Sequence, residues 1–300
     1  MFELLLIAPY DTPCYSTFRK VDAVAPVIHW QTDELAAAAT NAVAEGAAVT
    51  AQDQSTPGIS LNYTQLFEKT ASVSSTAQAT EWHGRANEMD YQVMKRGREM
   101  KRDCEFAIVG SANAAVAGDV GTPRELGSAE TLMAAGNIDA DSAGTTNMTE
   151  PQVLGVHQAI YNVGGDPNWL LVTPAGSSVV ANFAYIDPTA IANLNGRTRE
   201  MEKGNKLVNL VEIYQSPYGI MSVITDRFLA GAVGAGGDET GSSMLLLETD
   251  RWAIPTLQPM QVEDLAKTGH SDKKLVSCEL SLLHESPDAS GAVTLNLTTA

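Results

Sequence analysis

Apolar positions along this chain follow two different periods, and the changes from one to the other mark out its elements. Over Arg85–Ala112, Met89, Val93, Gly97, Met100, Cys104 and Ala107 recur every third or fourth position, which lays an apolar stripe along one side of an α-helix. Asn87 stands where an N-cap is needed, so the spacing predicts a strut of roughly 25 residues and about 38 Å. The other side is charged. Lys95 precedes Glu99, and Lys101 precedes Glu105, by one turn, so opposite charges can meet at i,i+4. Gly97 lowers helix propensity by about 1 kcal/mol against alanine, which predicts close approach of another backbone at that point.

The strut is followed by Asn113–Asn147, where glycine, alanine, serine and acid alternate; this predicts a long connection with one short element near Glu130–Ala134. Helical spacing returns over Thr149–Val163, with a Thr cap, an early proline, apolar residues at 153, 156 and 160, and the stop Gly164-Gly165. Trp169–Thr173 reads as a short strand, and Thr173-Pro174 opens a second helix. Helix, strand and helix in this order predict an α/β unit round a small sheet. Leu207–Tyr214 and Gly219–Thr225 flank Ser216-Pro217-Tyr218 as a hairpin, and Met244–Glu248 is a further strand. Pro255 and Pro259 predict an irregular or edge path for RWAIPTLQPM. Lys274–Leu283 and Gly291–Leu297 are the last two strands.

The N-terminal part is less periodic. Pro9, Pro13 and Pro26 block continuous helix over Met1–Glu45, leaving only the alanine-rich Thr32–Val43 as a predicted helix, capped by Thr32. The whole reads as an arm laid along another surface. Gly46–Thr80 is rich in Ser, Thr, Gln and Ala, and its Pro57-Gly58 turn predicts a long β-hairpin. Large apolar side chains are few before Leu66 and Phe67, and an isolated ribbon is barely stable in water, so it needs a surface to lie on.

Composition narrows the function classes. With 300 residues and 44% hydrophobic content the chain can bury a large core, in one domain or two. Its net charge of −17, from 36 acidic against 19 basic residues, disfavours extended DNA binding. Arg85, Lys95, Arg96, Arg98, Lys101 and Arg102 gather on the strut. Arg96, Arg98 and Arg102, together with Leu66 and Phe67, are therefore the candidate contacts to neighbouring copies, against a solvated, ion-paired helix face as the alternative. Cys14, Cys104 and Cys278 are odd in number and far apart, which predicts a reducing compartment, with Cys104 a small buried hydrophobe. Trp82, Trp169 and Trp252 read as core or interface anchors. No segment reaches a membrane-spanning length, and MFELLLIAP lacks the flanks of a signal, so a soluble protein is expected.

Catalytic signatures are missing. GAVGAGG at Gly231–Gly237 does not match GxGxxG and no GKS or GKT follows. The five histidines stand in no HExxH, and no Cys-x-x-Cys occurs. SxxK at Ser271–Lys274 lacks its companion motifs, and GxSxG is absent. No catalytic, cofactor-binding or metal-ligating residue is predicted.

The segments NYTQLFEKTASVSSTAQAT, EWHGRANEMDYQVMKRGREMKRDCEFAIV, YNVGGDPNWLLVTPAG, LLLETDRWAIPTLQPM and DLAKTGHSDKKLVSCELSLLHESPDASGAV, in this order, resemble the major capsid proteins of tailed bacteriophages. The resemblance runs from about Thr12 to Leu297. It implies an α+β, HK97-like phage capsid fold: an N-terminal arm (1–45), an extended β-hairpin loop (46–82), a peripheral domain with a long spine helix (83–149), an axial domain (150–242) and a return into the peripheral sheet (243–300). The implied function is that of a non-enzymatic subunit assembling into pentamers and hexamers of an icosahedral head shell around double-stranded DNA. The implied partners are copies of itself, a portal protein and a decoration or cement protein, with no cofactor, no membrane and no sequence-specific DNA binding. The implied location is the virion, after assembly in the host cytoplasm. No catalytic cross-linking pair is assignable. Two alternatives stand: a cellular encapsulating shell protein of the same fold, separated by its cargo, and a hydrolase with a glycine-rich loop, separated by its oligomeric state.

Overall fold

The computed structural model describes residues 11–48, 56–80, 87–110, 113–140, 149–183, 211–229, 239–267 and 269–297. Their helices and strands run, in chain order, α1 (Pro13–Thr17), β1 (Arg19–Asp22), β2 (Val27–Thr32), β3 (Gly58–Tyr63), β4 (Gln65–Ser74), α2 (Ser75–Ala79), α3 (Glu88–Val109), β5 (Ile138–Ala140), α4 (Glu150–Asn162), β6 (Trp169–Val172), α5 (Pro174–Phe183), β7 (Ile213–Ser216), β8 (Gly219–Thr225), β9 (Glu239–Leu247), β10 (Trp252–Leu265), β11 (Ser271–Leu280), β12 (Leu283–His284) and β13 (Gly291–Leu297). Among these residues no helix is long and apolar enough to cross a membrane.

The strands form a five-stranded sheet, β1-β10-β11-β4 with β12 beside β10, a six-stranded sheet, β5-β13-β9-β6-β8-β7, and the two-stranded ribbon β2-β3. Why β6 and β9 lie inside the second sheet follows from their sequences. WLLV and the MLLL of β9 are continuous apolar runs, and a strand with apolar residues on both faces must be covered on both. Leu171, Leu245 and Leu247 face a core shared with Met100, Cys104, Ile108, Phe67, Cys278 and Trp252, whereas Leu170, Val172, Met244 and Leu246 face a second core under α4. The first core thus joins α3 to both large sheets. Residues 243–297 serve both sheets, since β9 and β13 belong to the six-stranded one and β10 to β12 to the other.

The strut is α3, 22 residues long, and Asn87 caps it by accepting from Met89 N at 2.9 Å and Asp90 N at 3.4 Å. Its predicted ends at residues 85–86 and 111–112 lie outside the described residues. Three expectations about it are corrected. Beyond the helix's own backbone, no heavy atom of the described residues lies within 4 Å of a Cβ built on Gly97; the close approach is at Gly110, where a Cβ would stand 2.5 Å from the Phe228 carbonyl oxygen. Among the described residues Glu99 pairs with Arg96, at 2.6 Å, and not with Lys95. Glu105 does not meet Lys101 in solvent but is fully buried.

Other differences come from long-range pairing. Thr32 ends β2, and residues 33–44 form no helix: alanine propensity without an apolar stripe to bury does not hold one, and Leu35 and Val43 are 99% and 72% exposed. Pro57-Gly58 closes no hairpin, because β3 pairs antiparallel with β2, Thr32 opposite Gly58, and β4 pairs with β11. The ribbon is therefore β2-β3 with residues 33–57 between its strands. RWAIPTLQPM opens the 14-residue β10, which lies between β1 and β11 and not at an edge; Pro255 offers its carbonyl to Ser281 N at 2.8 Å, and the expected irregularity is present as register shifts between Thr256 and Gln261. Elsewhere the reading and the structure agree: the helix at α4 has Thr149 and Gln152 in a capping box, Thr173 Oγ1 accepts from Gly176 N at 2.9 Å, and β7 and β8 form the hairpin. Trp82, residues 207–210 and the GAVGAGG run lie outside the described residues.

Candidate functional site

The five residues singled out as contacts do not form one patch. Leu66 and Phe67 are consecutive on β4 and so point to opposite faces. Phe67 is in the chain's own core, whereas Leu66 is 55% exposed. Arg96 is paired with Glu99 on its own helix. The Arg102 guanidinium lies 5.4 Å from the centre of the Phe228 ring. Arg98 is half-buried and, with Lys101, lines a cavity of about 650 Å³ also bounded by Thr12, Ser16 and Thr225.

The β2-β3 ribbon stands out instead for its exposure. Its described connection, residues 33–48, is exposed throughout, and apolar side chains stand in solvent along it and beside it: Val24 at 98%, Leu35 at 99% and Ile59 at 66%. Its base is fixed. Asn62, fully buried, donates to the carbonyls of Leu282 at 2.7 Å and Gly127 at 3.2 Å and accepts from Gly127 N at 2.8 Å. One residue beyond the ribbon, Thr64 donates to Glu279 at 2.6 Å; Arg124 pairs with the same carboxylate at 2.7 Å and donates to the Thr64 carbonyl at 2.9 Å. A side chain as short as asparagine can satisfy three buried backbone groups only because β3, the segment before Ser128 and the chain after β11 converge there. Sequence spacing carries no sign of it.

The arm is held by a second polar anchor. Glu105 accepts from Cys14 N at 2.8 Å and Tyr15 N at 2.6 Å, fastening α1 to α3. Burial first, and the Asp226 carboxylate second, push the Glu105 carboxyl up to about 8, against the two backbone N–H groups. A signal for this was present. From Cys104 onward α3 carries no charge except Glu105, and a helix turn apolar all round is one that enters the core, taking its acid with it. Trp252 completes the arm's seat, stacked between Phe18 and His284 with ring centres 5.7 and 3.9 Å away.

α1 is fastened to α3, α3 joins both large sheets through one core, and the described connection of the ribbon is uncovered. In comparison with known proteins, the model of a family described as the SU10 major capsid protein matches residues 2–297. The chain belongs to that family. The major capsid protein of Escherichia phage Phieco32 is 25% identical over 336 residues, covering 96% of this chain and 91% of that protein. The capsid structure of cyanophage P-SCSP1u matches at a TM-score of 0.59 and 11% identity over 99% of this chain and 91% of that one. The SrpI encapsulin of Synechococcus elongatus PCC 7942 matches at 0.57 and 10% over 96% and 89%. This major capsid protein thus has the HK97-like capsid fold and is a structural, self-associating component of the tailed-phage virion. Because the encapsulin is as similar in fold as the capsid chain, the choice of a phage shell rests on the family match.

Proposed function

We propose that this major capsid protein assembles, in the host cytoplasm, into pentamers and hexamers that close an icosahedral head around double-stranded DNA. The observation that carries the reading is the ribbon: anchored at Asn62 and Thr64, uncovered along its described connection, residues 33–48, and bearing apolar side chains that a neighbouring copy would bury. In this reading α3 is the spine helix, and the five-stranded sheet with α3 forms the peripheral domain. The six-stranded sheet with α4 and α5 is the axial domain. The extended loop is then β2-β3 with residues 33–57, reached from an arm that ends near Asp22. Leu66 and Arg98 remain contact residues. A portal protein and a decoration or cement protein complete the shell. A surface at −17 gives the packaged duplex little to adhere to and reads no sequence in it.

Replacing residues 34–56 by a short turn tests this, since β2 and β3 would still pair through Thr32 and Gly58. The expected product is a folded, soluble subunit that makes no closed shells in electron micrographs. Normal particles from that variant would rule out the ribbon as a clasp. The cellular-shell alternative is favoured by the encapsulin likeness alone, and packaged DNA of fixed length inside purified particles decides against it.

A further inference from the structure

A buried cluster lies where the arm, the spine and the six-stranded sheet meet. Cys14 in α1, Glu105 in α3 and Asp226 at the exit of β8 are 0%, 0% and 1% exposed. Cys14 Sγ and one carboxylate oxygen from each acid lie within 4.8 Å of one another. The backbone has already aimed both acids. Cys14 N–H and Tyr15 N–H hold Glu105, Phe228 N–H donates to Asp226 Oδ1 at 2.9 Å, and Asp226 N–H donates to the Val172 carbonyl at 2.9 Å. Asp226 Oδ2, however, is buried and, apart from the neighbouring Glu105 carboxyl, meets no hydrogen-bond donor among the described residues, and neither acid has an ion pair among them. Two buried carboxylates facing each other beside a thiol require a positive occupant, which is either a shared proton or a metal ion.

We propose that Cys14, Glu105 and Asp226 bind one divalent cation of the zinc type, which staples the arm and the spine to the segment leaving β8. One sulfur and two oxygens suit a borderline-soft, four-coordinate ion; magnesium and calcium demand six or more oxygens and reject a thiolate. Tetrahedral zinc distances place ligand atoms roughly 3.4–3.7 Å apart. The cluster's 4.8 Å limit comes within reach of that by side-chain rotation. Each carboxylate oxygen bound to an N–H keeps a second lone pair for the ion. Binding displaces the Cys14 thiol proton and the proton held between the two acids, so two protons leave for each ion bound, and water takes the fourth position. Burial and the two neighbouring acids raise the affinity of the Cys14 thiol for its proton, and the ion must overcome this.

The test uses the full chain, stripped with a chelator, reloaded with zinc or cobalt(II) chloride and desalted. Metal is measured by mass spectrometry, and thiolate ligation by the sulfur-to-cobalt charge-transfer band. The expected result is one ion retained per chain and a melting temperature raised by zinc and lowered again by chelator. Asp226→Asn should weaken retention by at least about tenfold. Cys14→Ser should abolish the charge-transfer band, and Cys278→Ser, which leaves the cluster intact, should keep both. No retained metal would make the shared proton the only occupant and overturn the proposal. So would retention undiminished in Asp226→Asn, whether or not Cys14→Ser folds, because the ion would then sit elsewhere, for example at Cys104 and Cys278, whose sulfurs are 3.9 Å apart.

Discussion

The anchor of the ribbon gives the sharpest stability prediction. Asn62→Ala removes the partner of Gly127 N–H, Gly127 C=O and Leu282 C=O together, all in buried residues. A buried backbone group left unpaired costs at least about 1 kcal/mol, so the change should cost the unassembled subunit roughly 3 kcal/mol, and more where no water enters the gap. Asn62→Asp keeps the shape but replaces a donor with a buried charge, and should cost no less. Leu66→Ser, on the exposed side of β4, is the control and should stay within about 0.5 kcal/mol. Denaturant unfolding of the unassembled chain measures all three, and limited proteolysis reports whether the ribbon has come loose at its base. If Asn62→Ala changes stability by less than about 1 kcal/mol and leaves the ribbon as protease-resistant as before, the anchor reasoning is wrong.

Two further predictions concern single positions. Gly97→Ala should stabilise α3 by up to about 1 kcal/mol, because beyond the helix's own backbone nothing lies within 4 Å of the new methyl, whereas Gly110→Ala should destabilise by roughly 1–3 kcal/mol, its Cβ meeting the Phe228 carbonyl at 2.5 Å; paired thermal melts check the opposite signs. His284 faces Trp252, Ser290, the Leu132 carbonyl and Arg251, and burial is the main reason its imidazole is held down to about 4. Since that lies below the unfolded value of about 6.5, the unfolded chain binds more protons between the two. The contribution of His284 is therefore full above about 6.5 and is lost, by roughly 3 kcal/mol, as pH drops through about 4. His157, also lowered by burial, adds in the same direction. A folded-state imidazole resonance of His284 titrating near 6.5 would refute the assignment.

Local periodicity and caps determined a good deal of this molecule. The apolar stripe with Asn87 ahead of it specified α3, and Thr149 with Val153, Val156 and Ile160 specified α4, because a helix is closed by bonds between residues a turn apart. WLLV and MLLL signalled strands buried on both faces. The order of segments carried the family resemblance as well.

Pairing was a different matter. That β2 takes β3 across 25 intervening residues, from Asp33 to Pro57, is decided by what covers each face and leaves no mark on the residues beside Pro57-Gly58, so the turn there was misread. Alanines at 36–39 favour helix in isolation, but with no apolar stripe to bury they carry none. Polar residues carry the least local information. Asn62 and Asp226 look like surface residues in the sequence, and Glu105 is marked only by the apolar turn around it; the converging backbones make Asn62 an anchor, Glu105 a clasp and Asp226 a buried acid beside it. Phe67 and Arg102 look like contact residues until the fold turns them toward their own chain. Sequence by itself determined the elements, whose bonds are local. The tertiary structure alone decided which polar groups lose water, because desolvation depends on every segment that closes over them.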